Sequence, residues 1–150
     1  MTHKHITTDW SKSFMYGIHK THFLIHKRLE QKLEKAKSIT FSQFIIFVGL
    51  NCASSQTPSQ VEIAEFLNMT EATMSRHIAS LARSGYLVRK IDPTNKRRYT
   101  LTTTARGKKA FEKTQKIVEK ELDFIFAVIP TKDRAVISRT FEKVLTQLLP

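Results

Sequence analysis

The sequence predicts a mainly α-helical fold with one small β-hairpin, and three observations support that prediction. The 150-residue chain is 41% hydrophobic and 25% charged and has only 4 Gly and 4 Pro, which is typical of a globular helical protein. Two short helix patterns follow each other within residues 57–85, as in a helix-turn-helix. Two β-branched segments on either side of turn residues come next and predict a hairpin.

Long helices are predicted on both sides of this central region. Apolar residues recur at three- or four-residue intervals from Trp10 to Ala36, and Thr40–Cys52 is a strongly apolar second helix. A further long helix is expected from Ala105 to Ile129, where Pro130 interrupts it. Thr131 can cap a last helix.

The helix-turn-helix is predicted from its start and stop residues. Thr57 can cap the first short helix, Pro58 suits its first position and Gln60 lies where a capping-box partner belongs; this helix ends at Leu67. After a short turn, Thr70 can cap the second helix and Gly85 is placed to end it. Within that second helix, an inward face is expected to contain Met74, Ile78 and Leu81.

The hairpin is predicted from Leu87–Ile91 and Arg98–Thr102, with turn chemistry in residues 92–97. Its tip is basic, and an arginine on a two-stranded ribbon can enter a narrow, electronegative minor groove. A solubilising turn is the alternative interpretation of such a tip. Contact with DNA is the favoured interpretation, because the hairpin directly follows a helix-turn-helix.

Positive charge is concentrated in the same part of the chain. The segment Arg76–Lys116 contains 12 Lys/Arg and 2 Asp/Glu, a net charge of +10 out of +12 for the whole protein. Such a local field favours a polyanion, and duplex DNA is the commonest partner of this kind. The outer face of the second helix also has small or polar residues and one arginine, as a helix entering the major groove requires. The candidate DNA-binding residues are Thr70, Ala72, Thr73, Ser75, Arg76, Lys96, Arg97 and Arg98.

Together these motifs resemble the MarR family of bacterial transcription regulators. The resemblance rests on Gln60–Leu67, Met69–Arg76, Leu81–Arg89 and Asp92–Arg97, and it continues to Thr104–Gly107, which is similar to the family's Leu-Thr-x-x-Gly. It implies a winged helix-turn-helix with N- and C-terminal dimerisation helices. In one domain of residues 1–150, the dimerisation helices would span approximately 10–36 and 108–150, and the winged helix 40–104.

The resemblance also implies roles for particular residues. A homodimer would bind pseudo-palindromic DNA, with Thr73, Ser75 and Arg76 as recognition-helix contacts and Arg97 as the wing arginine. The family usually has Asp two residues before that arginine, where a salt bridge stiffens the wing. This chain has Asn95 there, which predicts a looser wing.

Dimerisation is also favoured by the apolar surface of the last two helices, which exceeds what one winged helix can bury. Part of this surface can pack against the first helix instead. A two-fold dimer, however, spaces two recognition helices by roughly 34–36 Å, one turn of DNA. The apolar residues concerned are Leu122, Phe124, Ile125, Phe126, Val128, Ile129, Ile137, Phe141, Val144 and Leu148.

Regulation by a small aromatic or amphipathic effector is a further expectation from the resemblance. Candidates to line its pocket are Phe14, His19, Phe23, Phe44 and Phe47, which could equally be core residues. The set His19, His22 and His26 lies on one helix face but completes no metal site in sequence, so no metal or cofactor is expected. An oxidation-sensing regulator acting through Cys52 is an alternative, although its neighbours Asn51 and Ala53 include no cation that could activate the thiol, and an inert cysteine is the stronger interpretation.

Other classes of protein are disfavoured. The sequence has no Gly-rich phosphate loop, nucleophile elbow or complete metal-ligand set, so no enzyme is predicted. The longest apolar run, residues 44–50, is far shorter than the roughly 20 residues of a membrane span. A single cysteine and the absence of a signal peptide predict the cytoplasm. A repressor that reads a specific operator is the leading hypothesis, and a non-specific architectural DNA-binding protein is its main rival.

Overall fold

The computed structural model describes residues 9–53, 58–92, 95–96 and 98–148. These residues form six helices and an antiparallel two-stranded hairpin, which confirms the predicted mainly α fold with a small β-hairpin wing. In chain order the elements are α1 (Trp10–Lys35), α2 (Phe41–Cys52), α3 (Gln60–Phe66), α4 (Glu71–Arg83), β1 (Leu87–Ile91), β2 (Tyr99–Thr103), α5 (Ala105–Phe126) and α6 (Thr131–Leu148).

The chain divides into two compact units, residues 1–118 and 119–150, and the division falls within α5. The prediction of one domain over residues 1–150 stays a prediction. In the first unit the core is built from apolar side chains of α1 to α5, the connection between α1 and α2, and the hairpin. They are Leu29, Leu33, Ile39, Phe44, Ile46, Phe47, Ile63, Ala64, Met74, Ile78, Leu81, Leu87, Leu101 and Val118.

Helix α3 begins later than the sequence predicts. Its N-cap is Ser59, whose hydroxyl accepts the Glu62 N–H at 3.2 Å, while the Glu62 carboxylate accepts the Ser59 N–H at 2.7 Å. The predicted cap, Thr57, lies outside the described residues, and its assignment as the cap is wrong. The reason is tertiary, because Pro58 and Ser59 pair with strand β2 and the chain stays extended up to the cap.

Helix α4 ends where the sequence predicts. Gly85 has φ +71°, its N–H donates to the Ala82 carbonyl oxygen at 2.9 Å, and the Tyr86 N–H donates to the Leu81 carbonyl oxygen at 2.9 Å. This is the Schellman arrangement, in which a residue in the left-handed region reverses the chain and satisfies the last carbonyls. The reversal leads the chain directly into β1.

Helix α5 begins against the same turn. The Thr104 hydroxyl accepts the Gly107 N–H at 2.9 Å and donates to the Gly85 carbonyl oxygen at 2.7 Å. A Cβ atom on Gly107 would overlap the carbonyl oxygen of Tyr86. The Thr-x-x-Gly motif therefore has a physical basis: the threonine caps the helix, and the glycine allows its first turn to lie against the backbone after α4.

The second unit contains the end of α5 and the whole of α6. Helix α5 ends at Phe126, three residues before the predicted Ile129, and Thr131 is the first residue of α6 rather than its cap. Helix α6 has no buried residue, although its sequence carries the predicted apolar stripe. None of the helices in the described part of the chain is long and apolar enough to cross a membrane.

Candidate DNA-binding surface

Helix α4 packs into the core through the face that the sequence predicts to be buried. Met74, Ile78 and Leu81 are each 0% exposed, because they pack into the core between α3, the hairpin and α2. On the flank of the helix, the Gln43 side-chain amide donates to the Ser80 hydroxyl at 3.2 Å and ties α2 to α4. With one face fixed in this way, the first turns of α4 present their opposite face to solvent.

That exposed face carries a hydrogen-bonded row of three candidate residues. The Thr70 hydroxyl caps the helix by accepting the Thr73 N–H at 3.3 Å and donates to the Thr73 hydroxyl at 3.0 Å. The Arg76 guanidinium also donates to the Thr73 hydroxyl, at 3.3 Å. Since Thr73 accepts both bonds, its own hydroxyl proton is available to an acceptor in a ligand. Ala72 beside this row is exposed and Ser75 is half-buried.

The hairpin adds a second basic element. Ile91 pairs with Tyr99 and Leu87 with Thr103, and the Arg89 guanidinium lies over the Tyr99 ring, 3.6 Å from its centroid. Strand β2 begins one residue later than predicted, because the Arg98 N–H closes the turn. The candidate Lys96 is exposed, whereas the predicted wing arginine, Arg97, lies outside the described residues.

Arg98 has a partner that sequence reasoning missed. Its guanidinium forms an ion pair with the carboxylate of Glu62 on α3. The backbone N–H of Ser59 and then the Arg98 guanidinium hold the pKa of Glu62 below its ordinary value. The capping-box spacing of Ser59 and Glu62 could have predicted half of this arrangement, but nothing local indicates Arg98.

The five aromatic and histidine candidates for an effector pocket fall into two groups. Phe44 and Phe47 are buried, and their ring centroids lie 5.3 and 5.9 Å from that of Phe111, so they are part of the core. Phe14, His19 and Phe23 are exposed on α1. One predicted residue, Phe47, lines a cavity of about 330 Å³, whose other lining residues are Asn51, Thr103, Lys108, Phe111, Glu112 and Gln115. An effector site stays a prediction.

The histidine set and the cysteine show no assembled chemistry in the described part of the chain. His22 and His26 have ring centroids 6.2 Å apart, and His26 lies 3.9 Å from a Glu30 oxygen. Among the described residues, no group of three or more His, Cys, Asp or Glu side chains could hold a metal ion. Cys52 is an exposed free thiol.

A family model matches this central region. The model of the winged helix DNA-binding domain matches residues 43–122, more than half of the chain. These residues include α3, α4 and the hairpin, so the match covers the basic surface of the chain. No curated protein matches the chain in sequence.

Solved structures of MarR regulators are similar over nearly the whole chain. The MepR–DNA complex from S. aureus has a TM-score of 0.81 at 22% identity, covering 91% of this chain and 98% of its own. A MarR protein from Peptoclostridium difficile has a TM-score of 0.81 at 21% identity, with coverages of 99% and 94%. PcaV from Streptomyces coelicolor, in complex with its natural ligand, has 0.74 at 17% identity, with coverages of 99% and 100%. At these identities the similarity establishes a common fold.

Proposed function

We infer that this chain, which belongs to the winged helix DNA-binding domain family and has the fold of MarR regulators, acts as a sequence-specific transcription regulator on double-stranded DNA. The family and the fold confirm the resemblance predicted from the sequence. The observation that carries the proposal is the row of Thr70, Thr73 and Arg76 on the exposed N-terminal turns of α4. Donors in this position can meet base edges or phosphates in the major groove.

The proposed assembly is a homodimer on a pseudo-palindromic operator. Large apolar side chains are exposed on α1 and, separately, on α6, and a second copy of the chain would cover them. In α1 and α6 they are Trp10, Phe14, Met15, Tyr16, Phe23, Leu24, Val136, Ile137, Phe141, Val144, Leu145 and Leu148. The MepR structure, which was solved with DNA, supports DNA binding by this fold.

The proposed mode is repression in the cytoplasm, with release by a small aromatic or amphipathic effector. PcaV, which shares the fold, was solved with its natural ligand, and that observation supports an effector for this chain. No catalytic role is proposed. The proposed recognition residues are the candidates predicted from sequence except Arg98, whose guanidinium is already paired with Glu62.

Competition between DNA duplexes tests sequence-specific regulation against non-specific binding. The probe is a labelled duplex carrying an inverted repeat from the intergenic DNA beside the gene, and the competitor is unlabelled random duplex. A specific regulator tolerates a large excess of random DNA, because specific binding is typically at least about a thousandfold tighter. If random duplex competes as well as the unlabelled operator, specific regulation is excluded in favour of an architectural role.

Replacing Arg76 with alanine should reduce operator affinity by about 1–3 kcal/mol and relax the preference for operator over random duplex. The reason is that its guanidinium is exposed beside Thr73 and can reach a base edge. Lys96→Ala is the matched control, because Lys96 is an exposed cation of the hairpin and should contact only phosphate. It should weaken both duplexes evenly, and fluorescence anisotropy with the two duplexes measures the difference. Equal losses of specificity in both variants would contradict a base-reading role for Arg76.

A further inference from the structure

The angle between the hairpin and α4 must be fixed by specific contacts. A two-stranded hairpin is marginally stable by itself in water, so contacts with other elements must fix its orientation. Leu87 at its base and Leu101 in the middle of β2 are buried in the core. The Leu101 N–H also donates to the Pro58 carbonyl oxygen at 3.1 Å, which attaches β2 to the residues before α3.

The part of the hairpin beyond these contacts can still rotate about them. The outermost of these contacts is the pairing of Ser59 with Thr100, and over about 10 Å of chain beyond it a rotation of about 10° displaces the end by about 2 Å. A hydrogen bond to a DNA phosphate tolerates only a few tenths of an ångström around about 2.9 Å. The far end of the hairpin therefore needs its own attachment if Lys96 is to meet phosphate reproducibly.

The ion pair between Arg98 and Glu62 is located at that far end. Arg98 immediately precedes Tyr99, which pairs with Ile91, the last residue of β1. Its guanidinium reaches back to Glu62 on α3, and α3 packs against α4. The contact thus links the outer part of the hairpin to the two helices of the helix-turn-helix.

Glu62 is well suited to hold the hairpin because it is itself held. One carboxylate oxygen accepts the Ser59 N–H at 2.7 Å, and the other accepts the Arg98 guanidinium. Ser59 is buried, at 1% exposure, and its backbone is joined to Thr100 of β2. Both oxygens therefore have fixed partners, and the Ser59 N–H and then the Arg98 guanidinium hold the pKa of the carboxyl below its ordinary value.

We propose that Arg98 and Glu62 form a clamp that sets the angle between the hairpin and α4, which makes Arg98 a positioning residue rather than a phosphate contact. This inference rests on the proposed function, since the angle matters only if both elements meet one duplex. Both side chains are partly exposed, so the pair contributes little to folding stability. The clamp should therefore act mainly on DNA affinity.

The sign of the effect of Glu62→Gln separates the two roles of Arg98. If Arg98 bound phosphate, removing the neighbouring negative charge would leave DNA binding unchanged or tighten it. If the clamp operates, the same change weakens binding by at least about threefold, as expected for the loss of a coupled contact. The glutamine keeps an oxygen for the Ser59 N–H, so the start of α3 is preserved. Glu65→Gln is the matched control, because it removes the same charge from the exposed side of the same helix.

The experiment measures anisotropy with the operator duplex for wild type, Glu62→Gln, Arg98→Gln, the double variant and Glu65→Gln, with thermal unfolding of each. The clamp predicts similar losses for the two single variants, no further loss in the double variant, and wild-type or tighter binding for Glu65→Gln. Wild-type affinity in Glu62→Gln, or independent losses that multiply in the double variant, would overturn it.

A second double-mutant cycle combines Arg98→Gln with Lys96→Ala at the hairpin tip. Lys96→Ala should lose less affinity in the Arg98→Gln background than in wild type, since an unclamped tip no longer meets phosphate reproducibly. This cycle leaves Glu62 and its helix cap intact, so it decides the question even if Glu62→Gln folds poorly. Equal losses in both backgrounds would contradict the clamp. Failure of the wild-type protein to prefer the operator would instead remove the proposed function.

Discussion

Replacing Gly107 with alanine should destabilise the protein by about 1–3 kcal/mol or more. The added Cβ would overlap the Tyr86 carbonyl oxygen, a backbone atom that cannot rotate away, and it would also approach the Thr103 methyl group at 3.1 Å. The first turn of α5 would have to move away from the turn that ends α4. Urea denaturation at fixed protein concentration measures the change in free energy of unfolding.

The same substitution at Gly17 is the control, and the opposite sign is expected there. Gly17 lies inside α1, and within one chain a Cβ atom added there would have nothing within 4 Å, so alanine adds helix propensity without an intramolecular clash. The variant should gain about 0.5–1 kcal/mol. If Gly107→Ala were as stable as wild type, the close approach of α5 to Tyr86 would not be a constraint on this fold.

Replacing Val144 with aspartate should dissociate the proposed homodimer. Helix α6 has no buried residue, and Val144, Ile137 and Phe141 form its exposed apolar face. A helix of this length obtains most of its stability from packing, so this apolar face is expected to pack against another surface. An unpaired charge in a dry interface costs at least about 3 kcal/mol, which raises the dimer dissociation constant more than about a hundredfold.

Sedimentation equilibrium over a range of concentrations measures this change, and operator binding should fall with it. Thr146→Asp is the control, because it introduces the same charge on an exposed residue two positions away, on the other side of α6. The control should remain dimeric. A Val144→Asp variant as dimeric as the control would place the subunit interface elsewhere.

Several elements could be predicted because their causes are local. The inward face of α4 follows from helical periodicity, and Met74, Ile78 and Leu81 are buried as expected. Gly85 ends α4 because only the preceding turn must supply its hydrogen bonds. The charge of the segment after Arg76 is likewise a property of composition alone.

Other features depended on residues far apart in sequence. Asn95 predicts a looser wing. In the structure, however, an ion pair between Arg98 and Glu62 attaches the hairpin to α3, and the two residues are 36 positions apart in sequence. Thr57 and Ser59 are both local candidates for a cap, and pairing of Pro58 and Ser59 with the distant strand β2 accompanies the start of α3 after Ser59. The aromatic candidates were equivalent in sequence, and tertiary packing separated the buried Phe44 and Phe47 from Phe14 and Phe23.

By itself, the sequence determined the helices, the hairpin, the basic segment and the identity of the residues on the outer face of α4. Helix caps within four residues, the period of apolar side chains, turn chemistry and composition govern these features, and all of them can be read along the chain. The tertiary structure alone decided which charges are paired and which aromatic residues are covered. These depend on distances between elements, and loop closure sets such distances without leaving a pattern in neighbouring residues.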